Sequence, residues 1–393
     1  MADSMDKKYS NVPNLRFPEF SQEWKFCKLK SLTKIYDGTH QTPDYKDSGI
    51  KFVSVEDIKN LSDSTKFITP EAYFKEFKNK PEFGDILMTR IGDIGTPAIV
   101  NINEPLAYYV SLALIKPTGI NNAFLKYCIE SNSFQHELWR KTIHVAFPKK
   151  INKEEIGECS LWTTTEKEQE KIASLLSNID ERINTQNKII EEIISLKNSI
   201  IQQIFSNRGL IPNTNKVSLN KILVPGSKTP VDTSQYKKIT IKLNYGGIEF
   251  SNLEREMKDT RPFYVRKTGE LIIGKQNYFN GSIAILDEKY DGTICSNAIM
   301  SFIFDKEVDP VFVFTAVSNR QFLKAKSFYA NGTGQKELSE KDFLNFEIGL
   351  PNINIQKKIG KLIENLDKKL KVEKINLELL MQQKQYLLAN LFI

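Results

Sequence analysis

The chain has few of the residues from which metal sites, disulfide frameworks and nucleotide-binding loops are built. Its four cysteines, Cys27, Cys128, Cys159 and Cys295, are far apart and form no CxxC pair, so neither a zinc knuckle nor a disulfide framework is expected. The three histidines form no HExxH motif, and no GxxxxGK[ST] loop for nucleotide phosphates is present. We therefore predict no metal site in this chain.

Long apolar runs are also missing. No run approaches the ~20 residues that a helix needs to cross a bilayer, and the opening residues MADSMDKKYSNVPN contain no apolar core of an export signal. These absences predict a cytoplasmic protein without a membrane segment.

What the chain does contain is enough apolar sequence for two folded domains. Its 393 residues exceed the ~250–300 at which a single core stops growing. A hydrophobic content of 40% excludes disorder of the whole chain. The net charge of +7 permits an anionic partner but does not require one.

The clearest pattern is an internal repeat. Residues 169–205 align without a gap with residues 356–392, at an offset of 187 (356 − 169). Neither copy contains proline, and apolar residues alternate at spacings of four and three, which is the heptad pattern of paired helices. We predict two long helices that pair with each other as an antiparallel coiled coil.

The two helical seams are polar at matching positions, Gln186 and Lys197 in the first and Glu373 and Lys384 in the second. One antiparallel register sets Gln186 beside Lys384, and it also sets Lys197 beside Glu373. Slipping by a heptad would bury a charge against an aliphatic side chain, which is costly, so these layers are predicted to fix the register. The alternative is that the long side chains only reach solvent at the edge of the seam.

The two blocks that precede the helices echo each other. Gly84-Asp85-Ile86-Leu87 matches Gly269-Glu270-Leu271-Ile272, and short apolar runs bounded by Gly, Pro, Asn and Asp predict strands among a few helices. The predicted fold class is α+β, with two tandem, pseudo-symmetric domains separated by two long helices. The predicted boundaries are a flexible N-terminus (1–13), a first domain (14–165), a helix (166–206), a linker (207–215), a second domain (216–352) and a helix (353–393).

With these features the sequence resembles the DNA-specificity (S) subunit of type I restriction–modification systems. The resemblance covers the whole chain: the opening VPNLRFPEF (12–20) with Trp24, the two glycine-acid turns, EQEKIA (168–173), and both helices. It implies that each block is a target-recognition domain for one half of a bipartite site in double-stranded DNA. It also implies that the helices set the spacer between the halves.

The resemblance implies partners as well. Two modification (M) subunits would dock on the helices, carry S-adenosylmethionine and methylate adenine at N6. Two restriction (R) subunits, which use ATP and Mg, would complete the complex in the bacterial cytoplasm. This chain would bind no cofactor and catalyse no reaction itself.

Three polar loops recur in each block and form the predicted DNA-contacting surface. The first, second and third loops are residues 38–43, 90–95 and 144–150 in the first block, and residues 226–229, 275–280 and 329–336 in the second. Base recognition needs paired donors and acceptors in a groove, and phosphates attract basic and small polar side chains. The candidates in the first domain are Thr39, His40, Gln41, Thr42, Arg90, Asp93, His144, Lys149 and Lys150. Those in the second are Ser227, Lys228, Thr229, Lys275, Gln276, Asn277, Tyr278, Asn280, Asn331, Thr333, Gln335 and Lys336. The alternative is that each loop is only a solvated turn, and that Arg90 belongs to a salt bridge.

Two other functions stay open from the residues alone. A stand-alone DNA methyltransferase or nuclease would need a cofactor loop or a metal-binding carboxylate cluster, and the sequence shows neither. A coiled-coil scaffold whose blocks bind proteins would share the helices but would not retain a bipartite duplex.

Overall fold

The structure is a computed structural model that describes residues 11–205, 214–251, 260–329 and 337–393. The chain divides into two compact units. Unit 1 comprises residues 1–187 with 375–393, and unit 2 comprises residues 188–374. Most of the predicted N-terminal segment and of the predicted linker 207–215 lies outside the described residues.

Unit 1 is built on a four-stranded antiparallel sheet. The strands are β1 (Lys25–Lys28), β2 (Thr33–Asp37), β3 (Ile50–Val53), β4 (Phe67–Ile68), β5 (Ile86–Ile91), β6 (Asp93–Ile99), β7 (Leu106–Tyr108), β8 (Leu112–Pro117) and β9 (Ser160–Thr163). The helices are α1 (Pro70–Glu76), α2 (Asn122–Glu130), α3 (Asn132–Lys141), α4 (Lys153–Gly157) and α5 (Glu166–Phe205). The main sheet has the order β2-β8-β5-β6, beside a sheet β4-β3-β7 and a ribbon of β1 with β9.

The main sheet of unit 1 is buried on both faces. Successive side chains of a strand point to opposite faces, so Ile86 and Met88 of β5 join one core, which includes α2 and α3. Leu87 lies between them in sequence and joins a second core with Leu112 and Leu114 of β8. Burial on both faces explains why β5 and β8 have nearly continuous apolar sequences instead of an alternating pattern.

Unit 2 repeats the four-stranded sheet and the terminal ribbon of unit 1. Its strands are β10 (Asn215–Ser218), β11 (Leu223–Pro225), β12 (Ile239–Ile241), β13 (Ile248–Phe250), β14 (Phe263–Val265), β15 (Leu271–Gly274), β16 (Ile283–Ile285), β17 (Ile294–Ser296), β18 (Ile299–Phe304) and β19 (Glu347–Leu350). Its helices are α6 (Pro310–Ser318), α7 (Arg320–Lys326), α8 (Glu340–Leu344) and α9 (Ile353–Asn390). The main sheet has the order β11-β18-β15-β16, and β10 pairs with β19 as β1 pairs with β9. Unit 2 has two two-stranded ribbons, β12-β13 and β14-β17, in place of the three-stranded sheet.

One polar contact shows how closely the two copies correspond. In unit 1, Gln169 on α5 accepts a hydrogen bond from the backbone N–H of Asn121, at 2.9 Å. In unit 2, Gln356 on α9 accepts one from the backbone N–H of Asp309, at 3.0 Å. Each glutamine also donates to the carbonyl just after the preceding strand, at 2.7 Å. The repeat therefore fixes the entry of each long helix by the same side chain.

The long helices contribute to both units. The first half of α5 lies with the second half of α9 in unit 1, where Ile179 and Leu391 share a core. The second half of α5 lies with the first half of α9 in unit 2, where Lys197 forms an ion pair with Asp367. In an antiparallel pair, the first half of each helix lies beside the second half of the other. This division of α5 and α9 therefore matches the antiparallel pairing that the heptad pattern predicts.

At least one polar residue of the helical seam contacts a side chain that the predicted register does not place beside it. Lys384 contacts Asp180 at 2.8 Å, six residues before Gln186 on α5. The pairings of Gln186 with Lys384 and of Lys197 with Glu373 stay predictions.

Candidate nucleic-acid interface

A buried arginine ties the three predicted loops of unit 1 together. Arg90 near the end of β5 is 7% exposed, and its guanidinium pairs with Asp37 at the end of β2. Its Nε donates to the carbonyl of Ile151 at 3.0 Å. Asp37 leads into the first loop, Arg90 leads into the second, and Ile151 follows the third. One side chain therefore positions all three loops at one edge of the sheet.

This placement differs from the prediction that Arg90 contacts DNA. The side chain is buried and its charge is opposed by Asp37, so it supports the loops instead of facing a phosphate or a base. Tyr278 in unit 2 differs for a similar reason, because it is fully buried and its hydroxyl donates to the carbonyl of Val317 at 2.6 Å. Burial raises the pKa of Tyr278 well above its ordinary value. Both residues belong to the framework of the loops.

The second and third loops of unit 1 are joined through their backbones. The N–H of Gly92 donates to the carbonyl of Lys149 at 2.8 Å, and that of Ile143 donates to the carbonyl of Lys150 at 2.8 Å. Gly92 has a φ of +82°, which glycine adopts without strain. Asp93 is exposed but accepts hydrogen bonds from hydroxyls of its own hairpin. The two lysine side chains of the third loop are exposed.

The third loop begins against an exposed tryptophan on α3. The ring of His144 lies 4.8 Å from that of Trp139, and its Nε2 is 2.9 Å from the Trp139 carbonyl. His136, His144, Lys149 and Gly92 line a common cleft of about 580 Å³. The cleft therefore joins the second and third loops into one concave surface with imidazole and ammonium groups.

The first loop of unit 1 leaves the sheet beside β7. The backbone N–H of Thr39 donates to the carbonyl of Tyr108 at 3.3 Å, which leaves Thr39 half-buried. The next three predicted side chains are exposed: His40, Gln41 and Thr42.

Unit 2 has its own buried arginine, which no pattern in the sequence distinguishes. Arg266 is almost fully buried, and it donates to the carbonyl of Ser227 at 2.9 Å and to Sγ of Cys295 at 3.1 Å. It thereby fixes the first loop of this unit. Next in that loop, Lys228 is exposed and pairs with Glu340 at 2.7 Å, and Thr229 is exposed beyond it.

The second loop of unit 2 is held to the residues that lie between the third loop and α8. The carbonyl of Lys275 accepts a hydrogen bond from the N–H of Leu338 at 3.0 Å. Gln276 donates to Glu337 at 2.9 Å, and Asn280 donates to Asn277 at 3.2 Å. The predicted third-loop residues lie outside the described residues: Asn331, Thr333, Gln335 and Lys336.

A metal site and a membrane-spanning helix are both missing from the described part of the chain. No group of three or more His, Cys, Asp or Glu side chains there could hold a metal ion. Within the same ranges, no helix is both long and apolar enough to cross a membrane.

The comparison with protein families decides the identity of this repeat. A model of the type I restriction modification DNA specificity domain matches residues 21–195 and again residues 208–381. The chain belongs to this family. Its two copies of the specificity domain include the two sheets, all the described candidate loops and most of both long helices.

Solved structures share the fold of this chain at low sequence identity. The crystal structure of the type I restriction–modification system S subunit from M. genitalium is similar over 97% of this chain and 99% of that chain, with 17% identity and a TM-score of 0.65. A structure concerned with complex assembly and conformational transition of the type I restriction–modification system is similar over 93% of this chain and 96% of that chain, with 12% identity and a TM-score of 0.51. Two tandem specificity domains with long helical segments are the shared fold.

Proposed function

We propose that this chain is the non-catalytic specificity subunit of a type I restriction–modification complex, in which each specificity domain recognises one half of a bipartite DNA site. The observation that carries the proposal is the repetition of one loop arrangement. In each unit the first and second loops leave parallel strands of the same sheet at one end, and a buried arginine holds the first loop, Arg90 through Asp37 in unit 1 and Arg266 through the carbonyl of Ser227 in unit 2. A bipartite duplex presents two short sequences to two such surfaces.

The long helices suit the role of a spacer. At ~1.5 Å per residue, the 40 residues of α5 extend about 60 Å. A pair of helices of fixed length would set the number of unspecified base pairs between the two halves. The charged outer faces of the same helices would dock two M subunits.

The chemistry would come from those partners. The M subunits would bind S-adenosylmethionine and methylate adenine at N6, and two R subunits would use ATP and Mg to restrict foreign DNA as a host defence. This chain would contribute sequence recognition without a cofactor of its own, and the complex would act in the bacterial cytoplasm.

Mapping methylated adenines in cells that carry this chain with its M partner tests the proposal. One bipartite motif with a constant gap is the expected result. Substituting Lys149 should reduce methylation by weakening contact with the first half, and substituting Lys275 should act through the second. A continuous motif, or methylation by the purified chain alone, would contradict the proposal.

A further inference from the structure

The tip of the third loop in unit 1 presents two large apolar side chains to solvent. Val145 is 97% exposed and Phe147 is 103% exposed, the highest values among the large hydrophobic residues of the described chain. Full exposure of a phenyl ring forgoes about 2 kcal/mol of transfer free energy. Two fully exposed large apolar side chains two residues apart on one loop suit a surface that becomes buried on binding a partner.

The tip stands on a firmly held base. Ile143 and Lys150 are bridged across the loop, and Gly92 binds the carbonyl of Lys149 from the neighbouring hairpin. Arg90 fastens the residue that follows the loop. The apolar tip is thus presented in a defined position before any partner binds, which lowers the entropic cost of inserting it.

The charges around the tip favour a polyanion as the partner. Lys149 and Lys150 follow Phe147 closely and are exposed, where they would meet phosphates on either side of an inserted ring. Unit 2 carries an aromatic pair just after α7, where its predicted third loop begins. There Phe328 is exposed and its ring lies 4.5 Å from that of Tyr329.

We infer that Phe147 is a wedge that enters between two neighbouring base pairs of the first half-site and kinks the duplex there. The stacked interior is the apolar region of a duplex large enough to bury a phenyl ring, and apolar side chains that enter it bend DNA by roughly 20–90°. Val145 would pack against the exposed base edges. The inference deepens the proposed function and depends on it.

The test measures DNA bending by energy transfer between dyes at the two ends of a duplex that carries the mapped site. Full-length chain with its M partner is used at saturating concentration. Wild type should shorten the end-to-end distance, Phe147→Ala should restore much of the free-duplex value and weaken binding about tenfold, and Phe147→Leu should recover part of the bend because leucine also acts as a wedge.

Phe83→Ala is the matched control. Phe83 is 66% exposed in the same unit, but it precedes β5 whereas the second loop follows that strand. The six residues of β5 place it about 20 Å from the loops, and its replacement should change neither bending nor affinity.

Equal energy transfer and equal affinity for wild type and Phe147→Ala would overturn the wedge while leaving the methylated motif, and so the proposed function, intact. A weaker association of Phe147→Ala with the M partner in the absence of DNA, with unchanged bending, would assign the tip to a protein contact and also overturn it. Failure of the wild-type complex to select any bipartite duplex would instead refute the proposed function.

Discussion

The buried Arg90–Asp37 pair makes a quantitative prediction about the first specificity domain. Removing one partner of a fully buried ion pair costs ~3–5 kcal/mol because the other charge stays buried. Asp37 keeps a quarter of its side chain exposed, and Lys153 lies 3.6 Å from its second oxygen. Arg90→Ala also leaves the Ile151 carbonyl without its 3.0 Å donor. We therefore expect a loss of about 2–3 kcal/mol.

Tryptophan fluorescence measures this loss in unit 1 alone. All three tryptophans of the chain, Trp24, Trp139 and Trp162, belong to that unit. The free energy of unfolding falls by ~2–3 kcal/mol per M of urea, so Arg90→Ala should lower the urea concentration at the unfolding midpoint by about 1 M. Arg140→Ala is the control, because Arg140 is exposed in its pair with Glu137 and its loss should cost less than ~1 kcal/mol.

DNA binding separates support of the loops from direct contact. If Arg90 acts by holding the loops, Asp37→Ala should weaken binding to the first half-site much as Arg90→Ala does. If Arg90 itself met a phosphate, Asp37→Ala would remove a competing carboxylate and strengthen binding. Tighter binding by Asp37→Ala, or an unchanged urea midpoint in Arg90→Ala, would refute the interpretation.

Three further predictions test other parts of the chain. Nε of Arg16 lies 2.7 Å from Oε1 of buried Glu168. Burial alone raises the pKa of Glu168, but the hydrogen bonds from Arg16 and Thr164 outweigh it and hold the pKa below its ordinary value. The stability from this pair is present above pH ~4.3 and lost as pH falls through the lowered pKa, so the urea midpoints of wild type and Arg16→Ala should converge between about pH 5 and pH 3. Lys384→Met should lower the free energy of unfolding by about 1–2 kcal/mol, and with it the tryptophan-monitored urea midpoint, because it removes one of the two lysines, Lys384 and Lys126, that pair with Glu130 and Asp180. Lys197→Met in unit 2 should leave that midpoint unchanged. Lys149→Ala should reduce the slope of log K against log salt by about 1, measured by titration of the bipartite duplex, and an unchanged slope would show that it contacts no phosphate.

The helices and the repeat were predictable because their signals are local. Heptad spacing appears within each stretch of sequence, and a gapless offset of 187 residues (356 − 169) needs no structure to detect. Gln169 and Gln356 are identical in the alignment, and the structure gives both the same hydrogen bonds. The loop positions followed from glycine, proline and asparagine, whose backbone preferences act over a few residues.

The exposure of individual loop side chains was not predictable in this way. Arg90 is buried because Asp37 and Ile151, 53 and 61 residues away in sequence, meet it at one edge of the sheet. No feature of the sequence separates Arg266 from a surface arginine, although the folded chain buries it against Ser227. The sequence places Tyr278 in a polar loop, whereas the fold buries it and its hydroxyl donates to the carbonyl of Val317.

The sequence by itself therefore determined the tandem repeat, the two long helices and the positions of the loops, since each depends on periodicity or on short-range backbone preference. Tertiary structure alone decided which loop residues are buried beneath the loops and which are exposed. Burial and ion pairing are set by neighbours that only the folded sheet brings together, and they separate Arg90 as a support from Phe147 as an exposed tip.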